Sequence, residues 1–317
     1  KNLEKPGLKT LLELAGLKGH VSVGQLVFSI APRINAAGRL GDANRAVELL
    51  VTDDQDKARL LAKELDNENK RRQMIQQAVV DEALLKVNAE ADLKNENALV
   101  LANAGWHPGV VGIVASKIKE EFNRPTIIIA LENGSGKGSA RSVAGFDLYE
   151  ALTACKTHLD GYGGHPMAAG LTLSNQKLED FKKAFIDFAN ERLTKENLQA
   201  TLTLDSEMAL QDITPRFMEF LDKLSPYGPG NMRPKFAIRN VEIAGAPKVI
   251  GKTGEHIRFK IKQGLKSYPA VGFGLSNKYE MLITGQPVDI ACVVETNEWQ
   301  GNTSIQMNVR DIKRAVT

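Results

Sequence analysis

The chain reads as an α/β unit followed by a β-rich unit, with a long helix leading into the first. Three observations predict this. Between residues 53 and 87 there is neither Pro nor Gly, which permits one helix of roughly 50 Å at 1.5 Å per residue. Residues 98–195 alternate short apolar, β-branched runs with amphipathic helical ones, the pattern of β-α-β units. From about residue 200, short runs of period two take over. At 317 residues the chain is also too long for one ordinary core, so several domains are expected.

Taken in order, residues 8–17 have helical periodicity closed by Gly16, and Ser22 is placed to cap the segment 24–29. Residues 31–40, APRINAAGRL, read as a tight turn punctuated by Pro32 and Gly38, with Arg33, Asn35 and Arg39 spaced around it. Asn44–Val51 reads as a short helix. The centre of the long helix, 66–73, holds no apolar residue, which predicts a solvent-bridged connector between two domains. A thin stripe through Leu61, Leu65, Ile75 and Val79 is the alternative. In the α/β unit, 98–102 and 126–131 suit buried strands, and 110–122 suits a helix between them. Residues 139–143 and 167–173 read as further strands, and 147–159 and 178–193 as helices. In the last helix Phe181, Phe185 and Phe188 face the core. Beyond 200, the runs 201–204, 235–244, 256–262, 268–274, 288–294 and 303–309 alternate, interrupted by a helix at Pro215–Lys223. Five or six strands in so short a span suggest a small barrel of OB type, ahead of a β-sandwich.

Composition narrows the function. With 43% hydrophobic and 25% charged residues this is an ordinary soluble composition. No apolar run approaches the roughly 20 residues of a membrane helix, and no signal peptide is visible, so no membrane association is expected. Cys155 and Cys292 stand in apolar settings and read as reduced core thiols, which suits a cytoplasmic protein. The first residue is Lys rather than Met, which suggests a piece of a longer chain. Residues 1–199 are neutral, with 26 Lys+Arg against 26 Asp+Glu, whereas 233–278 hold ten against two. A concentrated single-sign stretch favours a polyanionic partner; a solvated face is the bland alternative.

Three stretches of the α/β unit carry candidate phosphate-binding groups. In GGHPMAAG (163–170), Gly163 and Gly164 let backbone approach a bulky ligand and His165 can donate to a phosphate oxygen. Alone, it reads first as a Gly-rich turn entering a buried strand. Upstream, GSGKGSARS (134–142) brings Ser139, Arg141 and Ser142, all phosphate-binding types. WHPG (106–109) opens a helix whose N–H groups can hold an anion beside His107, or is a stacked Trp-Pro turn. Together the three loops suggest one ligand crevice. The Pro/Gly-rich stretch 224–236 carries Tyr227, Asn231, Arg233 and Lys235, an aromatic among polar and cationic groups that suits single strands. A structural turn is the alternative there. Arg258 and Lys260 lie in the basic stretch. The five histidines (His20, His107, His158, His165, His256) are scattered, so no metal ligand set is expected in these residues.

PRINAAGRL, WHPGVVGIVASKI, GSARS, GGHPMAAG and SPYGPGNMRPKF occur in the order found in RecJ exonucleases, and the chain resembles that family of the DHH phosphoesterase superfamily. The resemblance implies a C-terminal portion lacking the metal-binding DHH motifs. Residues 1–52 would be the tail of the catalytic DHH domain, 53–87 a connecting helix, 88–198 the DHH-associated α/β domain with its GGH motif, and 199–317 an OB domain binding nucleic acid. It implies hydrolysis of single-stranded DNA from the 5′ end in repair and recombination, with manganese or magnesium bound by the missing part. Ser139 and Arg141 would bind substrate phosphate, His165 would be the cleft histidine, and Arg33, Asn35 and Arg39 would line the inner surface of the DHH domain. Ala140 replaces the family's usual Gly, keeping Ser139 and Arg141 in phase. These residues alone are expected to be inactive. Implied partners are single-stranded DNA and repair proteins such as single-strand-binding protein or a helicase. Two other readings remain: a DHH-family oligoribonuclease or cyclic-dinucleotide phosphodiesterase, and a non-catalytic nucleic-acid-binding module.

Overall fold

A computed structural model describes residues 5–19, 21–228, 230–299 and 302–315, which leaves out His20 and Pro229. The chain divides into two units, Lys1–Ala200 and Thr201–Thr317.

The first unit opens with helices α1 (Pro6–Leu14), α2 (Val23–Gln25), α3 (Ala31–Leu40) and α4 (Asn44–Val51), then α5 (Gln55–Glu90). Ser22 caps α2 as expected, its hydroxyl accepting from the Gln25 N–H at 3.2 Å, and a π turn, Leu26–Ile30, leads into α3. The stretch 31–40, expected as a turn, is a helix. Pro32 sits in its first turn, where no N–H is needed, and a side chain at Gly38 would meet only Ala43, at 3.7 Å. Asp54 caps α5 by accepting from the N–H groups of Asp56 and Lys57.

Helix α5 is not solvent-bridged at its centre. Its first half packs Leu61 and Leu65 on Leu11, Ile30, Ala37 and Leu49; its second half packs Val79, Val80, Ala83 and Val87 into another core. Between them Asp66, Asn69, Arg72 and Gln76 are buried. Their spacing of three, three and four places them on one helix face. Polar residues can occupy that face because they are paired: Asp66 with Arg33 and Lys70, Arg72 with Asn69 and Gln76.

There follow β1 (Leu99–Asn103), α6 (Val111–Phe122), β2 (Thr126–Glu132), β3 (Ser135–Arg141), α7 (Leu148–Ala154), β4 (Gly161–His165), β5 (Ala168–Ser174) and α8 (Leu178–Arg192). The strands form one sheet in the order β1-β2-β3-β5-β4, parallel only between β1 and β2. One face packs Ile127, Ile129, Ala140, Leu171 and Leu173 against Leu148, Leu152, Phe181 and Phe185 of α7 and α8. Burying each of those phenylalanines contributes on the order of 2–3 kcal/mol; Phe188 is only partly buried at the rim. The other face packs Leu99, Leu101, Ile128 and Ala130 under α5 and α6.

In two glycine-rich stretches, strand begins earlier than expected, at Ser135 in place of Ser139 and at Gly161, ahead of the strand expected from Met167. In β3, a Cβ on Gly136 or Gly138 would come within 2.8–3.0 Å of Ile129, so glycine there lets the neighbouring strand's side chains lie over the backbone. The GGH run is the edge strand β4.

The second unit contains β6 (Ser206–Glu207), α9 (Pro215–Lys223), β7 (Phe236–Ile243), β8 (Lys248–Ile250), β9 (His256–Gln263), β10 (Lys266–Gly272), α10 (Tyr279–Leu282), β11 (Val288–Trp299) and β12 (Asn302–Arg314). Strands β7, β11, β12, β10 and β9 pair in sequence, and β9 pairs back on β7 to close a five-stranded barrel. Only β10 and β12 are parallel within it. This is an OB-type barrel, filled by Ile238, Ile257, Ile261, Ile290, Cys292 and Ile312. The run expected as a strand at 201–204 is not one; the first paired residues are Ser206 and Glu207, which add to the edge of β7.

Candidate functional site

Register on the β-sheet of the first unit decides which candidates meet. Arg141 of β3 pairs with Ala168 of β5, which pairs with His165 of β4. Ser139 lies in the next row on the same face, opposite Gly170 and then Gly163. Residues paired across strands share a face, so Ser139, Arg141 and His165 project from one side of the sheet. Two strand spacings, roughly 10 Å, separate the backbones of Arg141 and His165. Between them stand only Ala168, Gly170 and Gly163. A Cβ on Gly163 would meet nothing within 4 Å, so the floor is open. Gly164 is different: it has φ +148°, and a Cβ there would lie 2.5 Å from the Ala168 carbonyl oxygen.

The wall beside this floor is the start of α6. A Cβ on Gly112 would stand 3.1 Å from both Arg141 Nη2 and Ser139 Oγ, so glycine makes room for them. Arg141 Nη1 donates to Ser139 Oγ at 3.0 Å and to the Ala140 carbonyl at 2.7 Å. Helix α6 has no side-chain N-cap, so the first N–H groups of the helix have no capping side chain. His107 adopts a fixed orientation, its Nδ1 accepting from the Gly109 N–H at 3.0 Å, which leaves Nε2 as the remaining polar atom of the ring. Trp106 is core, donating through Nε1 to Glu82 at 2.8 Å.

Helix α3 closes the wall. Arg39 Nη1 donates to the Gly109 carbonyl at 3.2 Å, and Gly109 has space only for hydrogen, since a Cβ would fall 2.1 Å from the Arg39 carbonyl oxygen. Burial, and then the charge of Arg39, hold the Arg141 pKa below the ordinary arginine value. On α5, Asp66 pairs with Arg33 and Lys70, and Glu64 and Glu68 pair with Arg45, although one Glu68 oxygen is buried without a partner. For Asp66, burial opposes ionisation, but the hydrogen bonds from Lys70 and Arg33 prevail and hold its pKa below the ordinary aspartate value.

Several sequence candidates fall outside this cluster. Ser142 is 1% exposed and donates to the Phe146 carbonyl at 2.6 Å; one residue beyond β3, it turns inward and stabilises the following loop. Arg33 is a structural cation, paired with Asp66 at 2.8 Å. Asn35 is exposed, one turn before Arg39 on α3. In the second unit, Asn231 Nδ2 donates to the Leu224 and Pro226 carbonyls at 2.8 and 3.0 Å. The Tyr227 hydroxyl donates to the Leu221 carbonyl, and its ring carries Arg233 at 4.5 Å. Asn231 and Tyr227 therefore hold the turn together instead of offering a free platform. The Lys235 N–H donates to Asp205 at 2.8 Å, leaving its ammonium uncommitted. Arg258 and Lys260 point outward from β9 together with Lys262, and Lys248 of β8 lies opposite Arg258. Sequence reading passed over Gly112 and Arg72. The first lies within WHPGVVGIVASKI, where attention went to the histidine and the helix start; the second belonged to a run whose polarity was taken for exposure.

The matched domains agree with this division. Residues 95–191 match the DHHA1 domain, and 204–311 the RecJ OB domain. The chain is RecJ-like. It is 36% identical over 96% of its length to the single-stranded-DNA-specific exonuclease RecJ of Bacillus subtilis, and 34% identical over 97% to that of Thermus thermophilus. The crystal structure of Thermus thermophilus RecJ with Mn2+ superposes on 98% of the chain with a TM-score of 0.83 at 31% identity. The chain spans 39% and 42% of those two RecJ sequences and 44% of that crystallised chain. Thermus RecJ has also been crystallised with Mg2+. Among the described residues of the RecJ-like chain, no three His, Cys, Asp or Glu side chains are grouped to hold a metal ion.

Proposed function

We propose that this chain is the substrate-holding portion of a single-strand-specific DNA exonuclease, working from the 5′ end in repair and recombination. The observation that carries the reading is Arg141: a half-buried guanidinium with no carboxylate partner among the described residues, fixed against Ser139 and Gly112 above a floor kept clear as far as His165. Arg141, Ser139 and the first N–H groups of α6 would hold the terminal phosphate, and Arg39 and His107 would add positive charge and a donor. His165 would orient the adjacent nucleotide across the floor. In the barrel unit, Arg258 and Lys260, with Arg233 and Lys235, would track the backbone of the strand.

Within the longer protein, 1–52 would end the DHH domain, 53–87 connect, 88–198 form the DHH-associated domain and 199–317 the OB domain. Manganese or magnesium would be held by residues outside this chain. No helix among the described residues is long and apolar enough to cross a membrane. Both cysteines are buried, and burial pushes their thiols up to about 11 for Cys155 and about 12 for Cys292, which suits reduced thiols in the cytoplasm. Single-strand-binding protein or a helicase would be natural protein partners for such an enzyme.

The test is Arg141→Ala, assayed by binding to single-stranded oligonucleotides with 5′-phosphoryl and 5′-hydroxyl ends. Losing a charge-assisted contact of about 1.5–3 kcal/mol should weaken the phosphorylated end by roughly 10–150-fold and remove its advantage. Equal losses at both ends would contradict a phosphate clamp.

A further inference from the structure

The outer face of the barrel carries two parallel rows of different chemistry. On β9, His256, Arg258, Lys260 and Lys262 alternate with the core residues Ile257, Phe259 and Ile261, so all four point outward. Lys260 pairs with Pro269 of β10 and Arg258 with Val271, which sets an apolar row roughly 5 Å beside the cationic one. Phe273 extends the apolar row. It follows Gly272, the partner of Ile257, and its ring meets that of His256 nearly at right angles, with centroids 5.1 Å apart and planes at 77°. His256 is itself fixed, since its Nδ1 accepts from the Gly274 N–H at 3.1 Å. Yet Phe273 is 55% exposed, whereas Phe236 and Phe259 of the same barrel are core. Acids stand at the ends of the cationic row: Glu242 opposite Lys262, and Glu255 3.6 Å from His256 Nε2. Arg258 and Lys260 are the exposed cations between them.

A single apolar side chain at a surface needs no explanation. Phe273 differs in two respects: its ring is held against a fixed histidine, and it stands in register with an apolar row that runs beside cations. Pro269 and Val271 are short enough to leave a flat strip between the strands, and Phe273 closes one end of that strip with a ring. We propose that Phe273 is a base-stacking residue of the barrel: nucleobases lie along the β10 row and end on its ring, while Arg258 and Lys260 of β9 take the phosphates. Stacking needs an exposed base face, which a duplex does not offer, and it accepts any base. The contact therefore favours single strands without selecting a sequence. The proposal rests on the single-strand reading of the barrel and names the side of the strand that each row takes.

The experiment uses the whole chain and two fluorescent oligonucleotides of equal length, an oligothymidylate and an abasic strand with the same phosphates. Affinities are read by anisotropy for wild type, Phe273→Ala, Phe273→Tyr and the double variant Arg258→Ala with Lys260→Ala. Phe273→Ala should bind oligothymidylate at least about fivefold more weakly and the abasic strand as wild type does. Phe273→Tyr, which keeps the ring, should bind oligothymidylate within about twofold of wild type. The double variant should lose affinity for both strands. Unchanged binding in Phe273→Ala, or an equal loss on both strands, overturns the role of Phe273; if the double variant still loses affinity, the phosphate track stands. If Phe273→Ala lowers the thermal unfolding midpoint, Phe273→Leu decides, because it fills the same space against His256 without a planar face. A wild-type preference for bases in Phe273→Leu also overturns the proposal. Wild type that binds neither strand contradicts the single-strand reading itself.

Discussion

The floor of β3, β5 and β4 and the turn at 224–236 look alike as strings of letters, since each combines glycines, cations and a ring. They differ in whether their polar groups already have partners. In the turn, Asn231 donates to two carbonyls of the turn, the Tyr227 hydroxyl is bound to Leu221, and Arg233 lies on the Tyr227 ring. On the floor, Arg141 has only a hydroxyl and a neighbouring carbonyl, and the residues between it and His165 have almost no side chain. A polar motif that satisfies itself is architecture. One left with unneutralised charge over open space is a site.

This contrast can be broken within a single dipeptide. Gly164→Ala should destabilise the first unit by about 3 kcal/mol or more, because its Cβ would collide with the β5 backbone in a conformation that disfavours side chains. Denaturant unfolding checks this. Gly163→Val should leave stability unchanged within about 0.5 kcal/mol yet weaken phosphorylated single strands about tenfold by occupying the floor, equivalent to about 1.4 kcal/mol. If both substitutions act on folding alone, the floor is not a binding surface.

The turn should give the opposite pattern. Asn231→Ala should cost the barrel unit about 1 kcal/mol through two lost hydrogen bonds and leave single-strand affinity unchanged, as read by unfolding and by fluorescence anisotropy. A large loss of affinity in a fully folded variant would return Asn231 to the binding surface. The smallest effect concerns β9. Arg258→Ala with Lys260→Ala should reduce the slope of log affinity against log salt by about 1.4, from roughly 0.7 per phosphate contact on a single strand. An unchanged slope would make them solvated surface.

Much of this arrangement was legible in residue types, less in their partners. The strands at 126–131 and 256–262 carry their burial pattern in the sequence, and the OB-type barrel followed from period-two runs. Ser139, Arg141 and His165 were identifiable as phosphate-binding types, but their shared face depends on β5 lying between β3 and β4, a non-local pairing. Ser142 looked equivalent to Ser139 until the strand ended at Arg141 and turned it inward. Arg33 was indistinguishable from Arg39 because the acid that neutralises it, Asp66, lies 33 residues away. The polar centre of α5 misled for a related reason: absence of apolar residues signals exposure only when the polar groups lack partners, and these found them in the helix and in α3.

An NMR titration of the chain with a 5′-phosphorylated dinucleotide tests the central claim most directly, following the side-chain N–H of each arginine and the histidine rings. Arg141 and His165 should shift together along one binding curve, while Arg33 and Arg233 stay where they are. Movement of Arg233 with Arg141 unmoved, or separate curves for Arg141 and His165, would contradict a single phosphate site on the open half of the sheet.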